Sequence, residues 1–253
     1  MKTIQKMFIY VQKHFKIIIA AAVLFIAFAF FCFAKQQYTN ADFGKTFGNK
    51  ATAAENKMMR MQQSFTLCAK LVNTSPLFLQ SIVFPEEMRY NILKDGIETE
   101  SLRTLYTELG EDYANFSIGI FQMKPSFAEA VESFSASLLS DSIQNELQLN
   151  YSTKNKKLIR AERVERLQDN DYQLIYLTAF VLICNKIYTK KVFKTEAEKL
   201  AWYCTVYNAG FNKTDKYIEE KIKQNNFYLS KNMPGKKFRY AAITGWYYTK
   251  HLQ

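Results

Sequence analysis

The 253-residue chain has room for one sizeable domain or two small ones, and 48% apolar against 23% charged residues excludes an intrinsically disordered polymer. Eight Gly and four Pro leave little material for flexible linkers or low-complexity tails. A formal net charge of +11 favours an anionic partner (wall polymer, membrane surface or nucleic acid) without choosing among them.

That charge is unevenly spread. Residues 1–35 carry Lys2, Lys6, Lys13, Lys16 and Lys35 and no acid, which leaves 29 basic and 23 acidic residues in the remainder. Ile17 to Ala34 is an uncharged apolar run. Its 18 residues match the roughly 17–25 that a helix needs to cross a bilayer, and exceed the usual signal-peptide core. Two readings stand: a retained signal anchor, or a signal peptide cut after Cys32-Phe33-Ala34. With four lysines ahead of the run, either one puts the body on the extracytoplasmic side.

Residues 36–50 are polar, with Gly44 and Gly48, and read as a spacer. From Ala51 the pattern is helical. Met58, Met61, Phe65, Cys68 and Val72 recur at steps of three and four as a core stripe. Helix starts are expected at Ser75-Pro76 and again at Pro85. Residues 100–109 place Leu102, Leu105, Tyr106 and Leu109 on one side, before Gly110. Longer helices are expected over 124–149 and 161–188, with an exposed turn over 151–160 between them. Segments 196–207, 214–224 and 239–250 complete an all-α body, 51–253, without strand alternation.

Cys68, Cys184 and Cys204 have no CxxC spacing and apolar neighbours, so buried free thiols are expected. His14 and His251 lie near opposite ends, which excludes a His-based metal site, and no phosphate-loop or dinucleotide motif calls for a cofactor. Basic segments such as 154–157 lack the interleaved aromatics of a nucleic-acid groove, so no nucleic-acid partner is expected.

Three segments carry chemistry: Phe84-Pro85-Glu86-Glu87-Met88-Arg89-Tyr90, then Gly119-Ile120-Phe121-Gln122-Met123-Lys124-Pro125, then Tyr207-Asn208-Ala209-Gly210. Singly, they read as a helix start, a turn into a helix and a helix C-cap. In this order they resemble the soluble lytic transglycosylase family, whose fold is that of goose-type lysozymes. That family has a catalytic Glu on a helix, then G-[LI]-x-Q-[LIM]-x-P, then A-Y-N-A-G. Here the second segment is GIFQMKPSFA and the third VYNAG, and the resemblance covers roughly residues 76–215. The chain departs from the family in having Glu87 where Ser is usual, and in apparent insertions over 94–112 and 138–167.

The resemblance implies a lysozyme-like catalytic domain acting on peptidoglycan glycan strands. Glu86 would be the acid/base and Glu87 the alternative, with Gly119, Phe121, Gln122, Tyr207 and Asn208 binding substrate. Cleavage of a glycosidic bond needs a carboxylic acid to protonate the leaving oxygen. In the implied reaction the C6 hydroxyl of muramic acid attacks its own anomeric carbon, giving a 1,6-anhydro end. The acid must be kept protonated by an apolar pocket, for which Phe84, Met88, Tyr90, Phe121 and Tyr207 are available. An Arg89 pair with Glu86 would weaken that acid, so Arg89 is expected to turn to Glu87 or another acid. Two rivals remain: a muramidase using Asp95, Glu98 or Glu100 as second acid, and a catalytically weak wall-binding or scaffold membrane protein.

Overall fold

The computed structural model describes residues 43–90, 98–229 and 236–252. The expected anchor or signal segment, 1–35, lies outside them. The described residues are all-α. The helices are α1 Phe43–Phe47, α2 Asn49–Arg60, α3 Gln62–Leu71, α4 Pro76–Tyr90, α5 Glu98–Leu109 and α6 Pro125–Leu138. They continue with α7 Asp141–Leu147, α8 Lys156–Gln168, α9 Asn170–Ile187, α10 Glu196–Ala209, α11 Asp215–Lys223 and α12 Tyr240–His251. Two isolated bridges, Ile118 with Met123 and Phe227 with Phe238, are the extended pairings among the described residues.

Helix formation starts earlier than composition suggests. Within the expected spacer, residues 43–47 form α1 and residues 49–50 begin α2. Phe43 and Phe47 are four apart and so share one face; both are buried, and Phe47 lies edge-on to Phe238 at 5.0 Å. Two aromatics at helical spacing outweigh a polar average.

Helix α4 is the centre of the body. It packs against α2, α3, α10 and α12, and every residue from Phe78 to Met88 is buried. A helix enclosed on all sides has to be apolar all round, and the Phe-Leu-Ile-Val run supplies that. Its interior polar groups are tied down. The Gln80 amide donates to the Met58 carbonyl and to Gln62 Oε1, and its oxygen accepts from Tyr247. Pro85 does not start a helix; it lies inside α4. Proline has no amide to donate, and on the adjoining turn the Tyr240 hydroxyl donates to the Ile82 carbonyl at 2.9 Å.

Two expected long helices are each broken in two. Over 124–149 the chain leaves helical geometry at Leu139 and Ser140 before α7. Over 161–188 the break is Asp169, whose carboxylate accepts from the amides of Asp171 and Tyr172 and so caps α9. The expected exposed turn over 151–160 is shortened because Asn155 caps α8 in the same way. On α5, Tyr106 is buried while Leu105 and Leu109 are exposed, so the leucine stripe does not mark the inner face there. Of the stripe over 58–72, Met58, Phe65 and Val72 are buried, while Met61 and Cys68 are half-buried against the core. Cys68, Cys184 and Cys204 are free thiols, the last two buried.

No single helix among the described residues is long and apolar enough to cross a membrane. Helices α3 and α4 meet that test only as a pair bent by 118°.

The half of the body formed by α5, α6, α8 and α9 is joined by a polar network rather than by carbon alone. Arg163 of α8 meets Glu132 at 2.6 Å, Glu129 at 2.8 Å and the Tyr106 hydroxyl at 2.6 Å. Tyr151 and Tyr176 both donate to Glu132. Burial alone would drive Arg163 towards neutrality, but these acceptors keep it charged. Removing the cation strands two carboxylates in that setting. Arg163→Met is expected to lower stability by about 3–5 kcal/mol, a fall in Tm of roughly 10 °C in a thermal melt. Glu162→Gln, which breaks the half-exposed pair with Arg166, is expected to cost under about 1 kcal/mol.

Candidate active site

The end of α4 presents two adjacent carboxyls to different neighbours, because consecutive helix residues point about 100° apart. Glu87 is fully buried against α2, with Lys57 at 3.4 Å. Glu86, 4% exposed, turns the other way into a cleft. Arg89 follows it on the same face, Nε lying 3.3 Å from Glu86 Oε2 without hydrogen-bond alignment. The expectation that Arg89 would avoid Glu86 is therefore incorrect. The i,i+3 spacing holds it there, and Glu87 already faces Lys57.

The Arg89 contact does not abolish the acid. Burial pushes the Glu86 carboxyl up to about 7, while Arg89, Lys124 and a hydrogen bond from Asn208 pull the other way. Desolvation wins because the carboxyl is almost wholly buried, Lys124 is exposed and the Arg89 contact is not aligned as a hydrogen bond. Such a group is protonated often enough near neutral pH to act as an acid, and loses its proton easily enough to act as a base.

The second segment forms a tight turn. Ile118 and Met123 exchange both backbone hydrogen bonds, at 2.8 and 3.0 Å. Between them Gly119 has φ 71° and Gln122 φ 51°, both in the left-handed region. Gln122 is held there by its own amide, which donates to the Gly119 carbonyl at 2.9 Å; its side-chain oxygen accepts from Arg89 at 3.5 Å. Gly119 is required by space as well as by φ. A Cβ there would lie 1.4 Å from Gln173 Nε2 and 2.6 Å from the Leu167 carbonyl oxygen. Gln173, fully buried on α9, clamps the turn by accepting from the Phe121 amide at 2.8 Å and donating to the Ile118 carbonyl.

The third segment ends α10. Tyr207 is buried, and its hydroxyl donates to the Phe121 carbonyl at 2.8 Å, so it ties α10 to the turn rather than hydrogen-bonding the glutamate. Asn208 follows at the cleft surface, and Gly210 breaks the helix at φ 95°.

These parts meet in a cleft of about 880 Å³. Four expected site residues, Glu86, Gln122, Tyr207 and Asn208, line it together. Gly119 and Phe121 do not; they act from behind, as the clash-free corner of the turn and as a core ring against Phe65 at 5.9 Å. Glu87 is likewise outside the cleft. Of the expected apolar lining, only Tyr207 reaches it; Phe84, for instance, stacks on Tyr247 at 4.0 Å. The aromatic wall is made instead by Phe116, Phe127, Phe134 and Phe211. Phe127 and Phe134 stand seven apart on α6 with Ala130 between, a one-face spacing visible in the sequence directly after the GIFQMKP segment.

The cleft also holds two acids that sequence reasoning missed, Glu111 and Glu129. Glu129 is engaged by Arg163 and Tyr106. Glu111 is exposed, and its carboxyl is raised by desolvation and then by the neighbouring charges of Glu129 and Asp112. Asp95 lies outside the described residues, as do the side chains of Glu98 and Glu100. No cluster of His, Cys, Asp and Glu fit to hold a metal occurs among the described residues.

Burial also raises Glu87 to about 7, against the pull of Lys57 and Arg60. The folded protein thus binds this proton more tightly than the unfolded chain, whose value is near 4.5. The resulting stabilisation is complete below about pH 4.5 and is lost as pH rises through 7. Urea denaturation of wild type and Glu87→Gln across pH 4.5–8 is expected to show wild type losing on the order of 2–3 kcal/mol relative to the variant. Gly119→Ala is expected to cost about 2–4 kcal/mol in the same assay at any pH in that range, since its clash involves backbone. Set against known protein families, characterised proteins and solved structures, the chain matches none.

Proposed function

We propose that this protein is a peptidoglycan lytic transglycosylase of lysozyme-like fold, held at the membrane by its N-terminal segment, with Glu86 as its single acid/base. The observation that carries the reading is the meeting of Glu86, Gln122, Tyr207 and Asn208, from three separate segments, in one cleft with an aromatic wall. A solvated ion-pairing role for Glu86 would not require the desolvation that keeps its proton near neutral pH.

The geometry suits the chemistry as follows. Aromatic faces of Phe116, Phe127 and Phe211 offer stacking surfaces for sugar rings. Gln122 and Asn208 present amides that can bond N-acetyl or hydroxyl groups beside Glu86. Glu86 gives its proton to the glycosidic oxygen as the bond to C1 of muramic acid breaks. The same carboxylate then takes the proton of the C6 hydroxyl as that oxygen bonds to C1, so no water is consumed.

A hydrolytic version of this reading rests on Glu111, an acid in the same cleft without the Arg163 contact that occupies Glu129. As a base it would activate water and leave a reducing end. The test is digestion of purified peptidoglycan by the full-length chain in detergent, with released fragments analysed by mass spectrometry. Anhydro-ended fragments are expected from wild type and from Glu87→Gln, and a loss of at least about 100-fold in Glu86→Gln. Reducing ends abolished by Glu111→Gln would establish hydrolysis instead. No release from wild type would point to the binding or scaffold alternative.

A further inference from the structure

The Arg89 guanidinium does more than flank the acid. Its Nε approaches Glu86, and one terminal nitrogen donates to Ser117 Oγ at 3.1 Å and lies 3.5 Å from Gln122 Oε1. Its Cζ lies over the Phe227 ring, 5.6 Å from the centroid. Four contacts on three segments fix one side chain between the acid and the Gln122 turn.

We infer that Arg89 is a positioning residue that stabilises the carboxylate form of Glu86 between its two proton transfers and sets its distance from the Gln122 turn. This rests on the single-acid reading above. An enzyme with one carboxyl has no second anion to balance the oxocarbenium stage, so its acid must be charged there and must remain a usable base. Once the proton has gone to the leaving oxygen, Glu86 carries a full negative charge in a desolvated setting. The Nε–H at 3.3 Å is the closest cation to it. The absence of hydrogen-bond alignment matters before that step: a weak contact leaves the neutral acid accessible, and a small rotation completes the bond when charge develops. The proton that Glu86 recovers from the C6 hydroxyl returns the pair to its starting state.

The other groups facing Glu86 do not substitute for Arg89. Lys124 lies at the N-terminal end of α6 and is exposed; Asn208 and Tyr207 on α10 and Tyr240 on α12 are uncharged. Tyr207 and Tyr240 are also engaged with backbone carbonyls.

The test follows the Glu86 carboxyl directly by carbon NMR of the full chain in detergent, labelled at the glutamate carboxyl carbon, with Glu86→Gln identifying the signal. Arg89→Met, Arg89→Gln and Arg89→Lys are compared with wild type, alongside the pH profile of anhydro-fragment release. Loss of the charge in the Met and Gln variants is expected to tighten proton binding by Glu86 roughly tenfold or more. It is also expected to move the alkaline limb of the rate profile upward and lower kcat more than it raises KM. Arg89→Lys is expected to restore the titration while leaving KM raised, because a lysine beside Glu86 keeps the charge but has no second nitrogen to reach Ser117 and Gln122. A Glu86 titration that is unmoved in both neutral variants, or moved equally in the Lys variant, overturns the inference. An inactive wild type overturns the transglycosylase reading instead, and the titration still decides the role of Arg89.

Discussion

Helix α4 is enclosed by α2, α3, α10 and α12, and the rest of the body follows from what that enclosure demands. Burying an apolar helix on every side supplies much of the hydrophobic driving force. It also carries two consecutive carboxyls into a setting that penalises their charge. The chain resolves this differently for each. Glu87 receives Lys57 from α2 and becomes part of the packing. Glu86 opens onto the cleft, where Arg89, Lys124 and Asn208 offset desolvation only in part. A carboxyl that titrates near neutrality is suited to the proton transfer proposed for it, and the helix that makes the core is the one that desolvates it.

The cleft wall depends on a second constraint. Helix α6 brings Phe127 and Phe134 to the cleft and also carries Glu129 and Glu132 to Arg163. The fork of one guanidinium joins both acids to the Tyr106 hydroxyl and so fixes α6 against α8 and α5. A network of this kind contributes less net stability than its short distances suggest, since its members are desolvated too. Its value here is orientation: a helix located by directional bonds keeps the aromatic wall in one place.

Between these two halves lies the turn from Ile118 to Met123. Its backbone occupies left-handed conformations at Gly119 and Gln122, the second at a cost on the order of 1–3 kcal/mol for a residue with a side chain. Gln173, Tyr207 and the Ile118–Met123 pairing hold it against that strain. The result is a polar side chain held at the cleft beside Arg89 on a rigid support, the kind of pre-organised group that the proposed reading calls on.

The sequence by itself determined the all-α class, the free thiols, the core stripe of Met58 and Phe65, and the segments that meet at the cleft. These are local properties, carried by periodicity and by short spacings that do not depend on where the chain goes next. It left open which of Glu86 and Glu87 faces the cleft, because one residue of helical rotation separates them and only the neighbours of α4 decide which side is open. It misjudged Pro85, Gly119 and Phe121 because each sits against a partner dozens of residues away, such as Tyr240, Gln173 or Tyr207, and it misjudged Arg89 because Lys57 on another helix already occupies Glu87. Of the aromatic wall, only the Phe127 and Phe134 spacing was open to reading; Phe116, Phe211 and Glu111 were hidden because they lie between helices and reach the cleft only through the tertiary packing. Local pattern chose the elements, and the desolvation and partnering of individual side chains were decided by tertiary packing, since both depend on which surfaces meet.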